Sequence, residues 1–244
     1  MNHRFIRALT LWKKEMMSLF FSPVAACAVF LFLLGTCIPF LFPSETASTA
    51  VFSFRKYVSG MPLLFIIILP ALTMGIWTDE RKKGTDLMLF SLPVEDFLLV
   101  AGKFFALLTL YCIMMLLTLP VLLMLPPTSF DFGAVITAYT VLFLYGASII
   151  SIGQFLSSFF SNSVLSYLVT AAVLLVVNTS ELLPLSIHLP GWAVWICTQM
   201  SFAWHFDSAS RGILDSRDLL FFILPALAFL YANTIHLAER RKGA

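Results

Sequence analysis

Met61-Pro62-Leu63-Leu64-Phe65-Ile66-Ile67-Ile68-Leu69-Pro70-Ala71-Leu72-Thr73-Met74-Gly75-Ile76-Trp77 is followed at once by Thr78-Asp79-Glu80-Arg81-Lys82-Lys83. The first stretch carries no charge, and the second is almost entirely charged. A helix satisfies its own backbone hydrogen bonds, so an apolar one can stand in hydrocarbon. The sudden block of charge then marks where the chain leaves it. A run of about 20 apolar residues is the length that crosses a bilayer. The stretch from Met61 to Trp77 therefore reads as a transmembrane helix that ends at a polar surface.

Working outward, five more runs have the same character. They span Ser22 to Phe42, Val100 to Leu125, Ala134 to Phe160, Val164 to Val177 and Leu219 to Leu237. The expected fold is an all-α membrane protein with six transmembrane helices. The composition agrees. Of 244 residues, 60% are hydrophobic and 11% charged, with 25 Phe and a mean hydropathy of +0.94. Soluble domains average about 25% charged residues, so an ordinary soluble class is excluded. The polar stretches are short, so residues 1–244 are expected to form a single transmembrane domain. Cys27, Cys37, Cys112 and Cys197 lie in or beside apolar runs without disulfide or metal spacing, and read as small packing residues.

Six spans place both termini on one side. That side carries Arg4, Arg7, Lys13, Lys14, Arg81, Lys82, Lys83, Lys103, Arg240, Arg241 and Lys242; the other carries Arg55, Lys56, Arg211 and Arg217. The excess of cations predicts cytoplasmic termini and a multi-pass protein of the inner (cytoplasmic) membrane. Val24-Ala25-Ala26-Cys27 loosely resembles a lipoprotein cleavage box, but the apolar run continues well past Cys27, so no cleavage is expected.

Residues 1–21 have helical amphipathicity. Phe5, Leu9, Trp12, Met16, Leu19 and Phe20 share one face; Arg7, Lys14 and Ser18 share the other. This is the pattern of an interfacial helix, with Trp at headgroup depth and cations toward phosphates. Pro23 marks the bend into the first span. The segment reads either as a generic anchor or as an elbow packed beside the other spans.

Residues 79–96 form the loop after the second span. Gly84 breaks the helix, Thr85 can cap a new one, and Leu87–Leu92 is short and largely apolar before Pro93. An apolar helical face held outside the bilayer by charges usually meets a partner.

Glu80-Arg81, Gly84-Thr85, Leu89, Pro93-Val94 and Gly102-Lys103 together resemble the signature of ABC-2 type transporter permeases. The resemblance implies a coupling helix at about Thr85–Leu92 that seats in a groove of a separate ABC ATPase. It assigns ATPase coupling to Glu80, Arg81, Gly84, Thr85, Leu87, Leu89 and Pro93. The chain departs from the pattern at Leu87, where the family usually has an acidic residue; Asp86 lies one position earlier. The segment 180–218 holds Pro184, Pro190, Gly191, Trp192, Trp195, Trp204 and His205, which suits short re-entrant helices on the outer side. Its Arg211-Gly212 and Arg217-Asp218 pairs are similar to the gliding-motility-associated branch of that family.

The resemblance implies a permease subunit that couples ATP hydrolysis by a second chain to export, or to mechanical work at the cell envelope. Its implied partners are two ATPase copies, a second permease subunit (the same or a paralogue) and membrane lipid; no nucleic acid is expected. No cofactor is expected in this chain, and ATP and magnesium belong to the ATPase. The sequence has no phosphate-binding loop and no catalytic constellation, so it is not expected to be an enzyme by itself. No metal site is expected, because His188 and His205 lack a third suitably spaced ligand. An alternative is an ATP-independent scaffold that recruits a cytoplasmic partner through the same loop. Gly146, Gly153 and Ser157 form a small-residue stripe suited to close helix contact. Gln154 and Asn162 read either as path-lining residues or as bundle contacts. No span carries a charge at its middle, which disfavours an ion-coupled carrier.

Overall fold

The computed structural model describes residues 2–41, 54–85, 95–122, 132–182 and 190–243. The described residues fold into helices with no strand among them. In chain order these are α1 (Asn2–Phe20), α2 (Pro23–Leu41), α3 (Phe54–Ser59), α4 (Met61–Thr73), α5 (Gly75–Lys82) and α6 (Asp96–Leu117). They continue with α7 (Phe132–Ser157), α8 (Ser163–Asn178), α9 (Gly191–Met200), α10 (Phe202–Ser210) and α11 (Ser216–Gly243).

Four stretches are long and apolar enough to cross a membrane: Tyr57–Lys82, Asp96–Val121, Phe132–Ser157 and Ser216–Lys242. A fifth arises if the bent pair Leu9–Phe20 and Pro23–Ile38 makes one crossing. This architecture is compatible with a multi-pass membrane protein. α8 has 16 residues, a rise of about 24 Å against a hydrocarbon core of about 30 Å, so it falls short of the same measure. The described parts of the expected apolar runs are largely helical, but the ends shift. The second stretch begins earlier and continues through its charges to Lys82, and the last extends from Ser216 into the terminal cations. Helical hydrogen bonding continues where apolarity stops, so hydropathy alone misplaces these ends.

Helix α7 is the axis of the bundle. Phe65 packs with Tyr145 and Thr73 with Gly153, so α4 runs alongside α7. Val100 receives a hydrogen bond from Gln154, and Tyr111 lies against Gly146, so α6 runs the opposite way. Ser148 donates to Phe222 O, and Phe159 stacks on His236, so α11 is again parallel to α7. The alternation puts α1 and the end of α11 at one end of the bundle, with the charges of α5. The opposite end holds α3, α9 and α10.

The stripe of small residues sets the helix spacing. A methyl group added at Gly146 would sit 2.3 Å from the Tyr111 ring, and one at Gly153 would sit 2.3 Å from Thr73 Oγ1. Tyr111 and Tyr145 then anchor the core. They are fully buried, and their hydroxyls donate to Leu142 O at 2.7 Å and Asn178 Oδ1 at 2.9 Å. Phe65 bridges Phe32, Tyr111 and Tyr145, and Phe202 and Phe222 extend the aromatic chain from Tyr145. Aromatic rings fill volume between helices while their few polar atoms still find partners.

Candidate functional site

The charged end of α5 is built where an apolar helix changes character. Pro70 removes one backbone donor from α4, and the helix breaks at Met74 before α5 begins. Polar atoms of α7 fill the break. Ser157 Oγ donates to Met74 O at 3.1 Å and lies 3.4 Å from Trp77 N, its donor. The next residues carry Asp79, Glu80, Arg81, Lys82 and Lys83.

Glu80 turns toward α1 and α6. Lys103 sits in α6, is 4% exposed, and places Nζ 2.6 Å from Glu80 Oε1 and 3.2 Å from Glu15 Oε2. Its third donor reaches Ile76 O at 3.4 Å. The ammonium also lies 5.0 Å from the centre of the Trp77 ring, within cation–π range. An ammonium has three donors, and all three are engaged. This one buried charge therefore joins α1, α5 and α6.

Arg81 and Lys82 turn the other way. The Arg81 guanidinium donates to Phe160 O at 2.8 Å and to Ser158 O. These carbonyls lie just past α7, where a helix leaves acceptors unpaired and its dipole is negative. Lys82 Nζ donates to Ser163 Oγ at 2.8 Å; the same hydroxyl lies 2.9 Å from Thr78 Oγ1 and donates to Asp79 Oδ1 at 3.2 Å. The end of α5 is thus held on two sides. Asp96 of α6 pairs with Arg241 of α11 at 3.0 Å and closes the same end of the bundle.

Gly84 follows with φ +64°. Residues with a Cβ rarely adopt this left-handed backbone, and glycine there ends a helix. Thr85 Oγ1 donates back to Glu80 O at 3.2 Å, so its hydroxyl proton closes α5. Leu87, Leu89 and Pro93, and most of the expected coupling helix with them, lie outside the described residues.

The N-terminal residues form a single helix, α1, which includes Arg7. Its bundle-facing edge is rotated from the one expected. Leu11, Glu15 and Leu19 approach the other helices, and Trp12 Nε1 donates to Thr109 Oγ1 of α6 at 3.2 Å. Leu9 and Phe20, expected on the same face as Trp12, are 48% exposed. The α1 backbone passes near Gly102 at Leu11 and Trp12, and Glu15 is drawn toward Lys103. Lys14 is exposed.

Sequence reasoning counted Lys103 as a surface cation and gave Glu15 no role. A signal was present: a lysine inside an apolar helix needs a buried partner, and Glu15 is the one acidic residue of a basic segment. Gln154 makes a bundle contact, whereas Asn162 is exposed and serves as a local cap. Gln154 donates to Val100 O at 3.0 Å, and Asn162 Oδ1 accepts from Val164 N and caps α8.

The opposite end has a second polar cluster. His205 Nδ1 lies 2.6 Å from Asp218 Oδ1, its Nε2 lies 3.1 Å from Gln199 O, and its ring stacks on Phe221. Asp207 bridges Arg55 and Arg211. Burial raises the Asp207 pKa, but hydrogen bonds and charge from the two arginines outweigh this and hold the carboxyl below its usual range. Among the described residues, no group of three or more His, Cys, Asp or Glu is arranged for a metal. No protein-family model and no curated protein matches this chain.

Proposed function

We propose that this chain is the transmembrane permease subunit of an ABC-2 type transporter, working with a separate ABC ATPase. The observation that carries the reading is the end of α5, clamped to α6 by the Glu80–Lys103 pair and to the α7–α8 turn by Arg81. A loop that receives force from a partner must be anchored rigidly to the spans it moves. Residues 86–94 leave from this clamped end, and the motif resemblance names the same loop as the coupling helix. The up-and-down order of α2, α4–α5, α6, α7, α8 and α11 favours six crossings. The cations gathered at the clamped end favour placing it, and both termini, in the cytoplasm of a cell with an inner membrane.

Two permease subunits would enclose a path, and two ATPase subunits would bind below. Closure of the ATPase pair on ATP and magnesium would push the loop, and α5 and α6 would carry the displacement as one body. Export or mechanical work on the envelope is the direction that the resemblance supplies.

The test is co-purification with the ABC ATPase that stimulates this chain, together with ATP turnover. Gly84→Pro forces φ to about −65° where the backbone needs a positive angle; Leu89→Asp puts a charge on the expected apolar face. Both variants should lose the complex and the stimulated turnover while the permease remains folded. Unchanged binding and turnover in both would refute the assignment and leave the ATP-independent scaffold as the better reading.

A further inference from the structure

Helices α1 and α2 meet at a 69° bend around Phe21 and Ser22. The bend opens a cavity of about 470 Å³ between α1, α2 and the α4–α5 junction. Its walls carry Lys14, Glu15, Asp79, Glu80, Lys83 and Lys103. A second cavity, of about 540 Å³, lies beside it between α2, α4 and α8, and none of its lining side chains is charged. Val24, Ala71 and Met74 border both. A charged chamber at the end of the bundle thus continues into a dry groove. The groove follows α2 from Val24 to Leu31, a rise of about 10 Å, within one leaflet of hydrocarbon.

The charges of the chamber select the head of the occupant. Lys103 is fully engaged by Glu15, Glu80 and Ile76 O. Glu80 Oε2 is buried and carries no hydrogen bond among the described residues. A buried carboxylate oxygen is costly without a donor. Lys14 and Lys83 are exposed at the chamber wall and form no ion pair among the described residues. The chamber therefore asks for an N–H donor and an anion on the same molecule, and the groove asks for a hydrocarbon tail. A glycerol headgroup brings the phosphate without the cation. A choline headgroup brings a cation without an N–H.

We infer that this chamber and groove bind a phospholipid with a primary-amine headgroup of the phosphoethanolamine class. Its phosphate pairs with Lys14 and Lys83, its ammonium donates to Glu80 Oε2, and one acyl chain lies along α2 past Cys27. The inference rests on placement of this end at a bilayer surface and not on the ATPase. Loss of ATPase binding leaves it standing.

The whole chain would be purified in mild detergent and mixed with ethanolamine, choline or glycerol phospholipids of identical acyl chains. Native mass spectrometry would count the retained lipids, and the rate of maleimide labelling at Cys27, an exposed thiol, would report on the groove. The ethanolamine lipid should be retained selectively and should slow Cys27 labelling. Lys14→Gln with Lys83→Gln should reduce retention about thirtyfold, since each interfacial cation contributes about 1 kcal/mol. Both positions are exposed, so the fold should survive, and the unfolding midpoint would verify this. Equal retention of the three headgroups would overturn the inference. So would retention unaffected by the double variant, or preference for the glycerol lipid. Efficient Cys27–Cys27 cross-linking between copies would overturn it as well, because a second subunit would then fill the groove.

Discussion

The two ends of the bundle are closed by different chemistry. At the end that holds α5, long charged side chains reach across helices. Lys103 joins three of them, and Arg81 seals the backbone carbonyls beyond α7. At the other end, two short helices lie over the bundle, and rings carry most of the contact. His205 stacks on Phe221 and pairs with Asp218, while Phe202 packs on Tyr145 and Phe222. Ring contacts hold by area and shape. Charged contacts hold by direction, and they fix which helices move together.

The largest expected effect comes from removing the buried ammonium. Lys103→Ala leaves Glu15 and Glu80 facing each other without their cation. Unfolding in detergent should show a loss of about 3–5 kcal/mol, the range for breaking a buried pair. On the proposed permease reading, stimulation of the partner's ATP turnover should fall with it. A loss below 1 kcal/mol would mean that the triad is wet and does not clamp α5.

At the opposite end, His205→Ala leaves Asp218, 4% exposed, without its ring partner. A loss of about 1–3 kcal/mol is expected, the cost of an unsatisfied buried polar group. Binding of the ATPase should be unchanged. If it weakened as much as in Lys103→Ala, the contrast between the ends would collapse.

Arg81→Lys should sharpen the comparison. It keeps the charge but loses the forked donors that reach two carbonyls. A cost of about 1 kcal/mol is expected, with turnover uncoupled from ATPase binding. Full coupling in this variant would show that charge alone suffices at this end.

The smallest effect concerns acid. Asp207 has a lowered pKa in the folded protein, so its bridges to Arg55 and Arg211 stabilise above the ordinary carboxylate range. That contribution is lost as the pH falls through the lowered value. Burial and the Asp207 charge raise Glu181 instead, so its term has the opposite sign and is lost as the pH rises through its own folded value. Asp207→Asn should lower the unfolding midpoint at pH 7, and by less at pH 3. An equal deficit at both values would mean that the bridges are not electrostatic.

Much of this fold was legible from apolar runs. The described parts of the expected runs are largely helical, and Gly84 ends α5 where the turn signal stands. Gly146 and Gly153 identified α7 as a helix of close contacts. The clamp was less visible. Hydropathy ranks Lys103 with the other terminal cations, because it cannot register that α1 packs on α6 and delivers Glu15. Arg81 likewise reads as a surface charge, since its acceptors are backbone carbonyls that have no sequence signature. The rotated edge of α1 was hidden for the same reason: helical amphipathicity ranks Leu9 above Glu15, while a buried ammonium reverses that order.

The close contacts at Gly146 and Gly153 have a consequence on an evolutionary scale. A methyl at Gly153 would overlap Thr73, and one at Gly146 would overlap Tyr111. Neither position can change alone without pushing a neighbouring helix aside. In related chains, an alanine at the position of Gly153 should be accompanied by a smaller residue at that of Thr73. Where Gly146 is replaced, the position of Tyr111 should lose its ring. The spacing of this bundle would thus be inherited as pairs of residues.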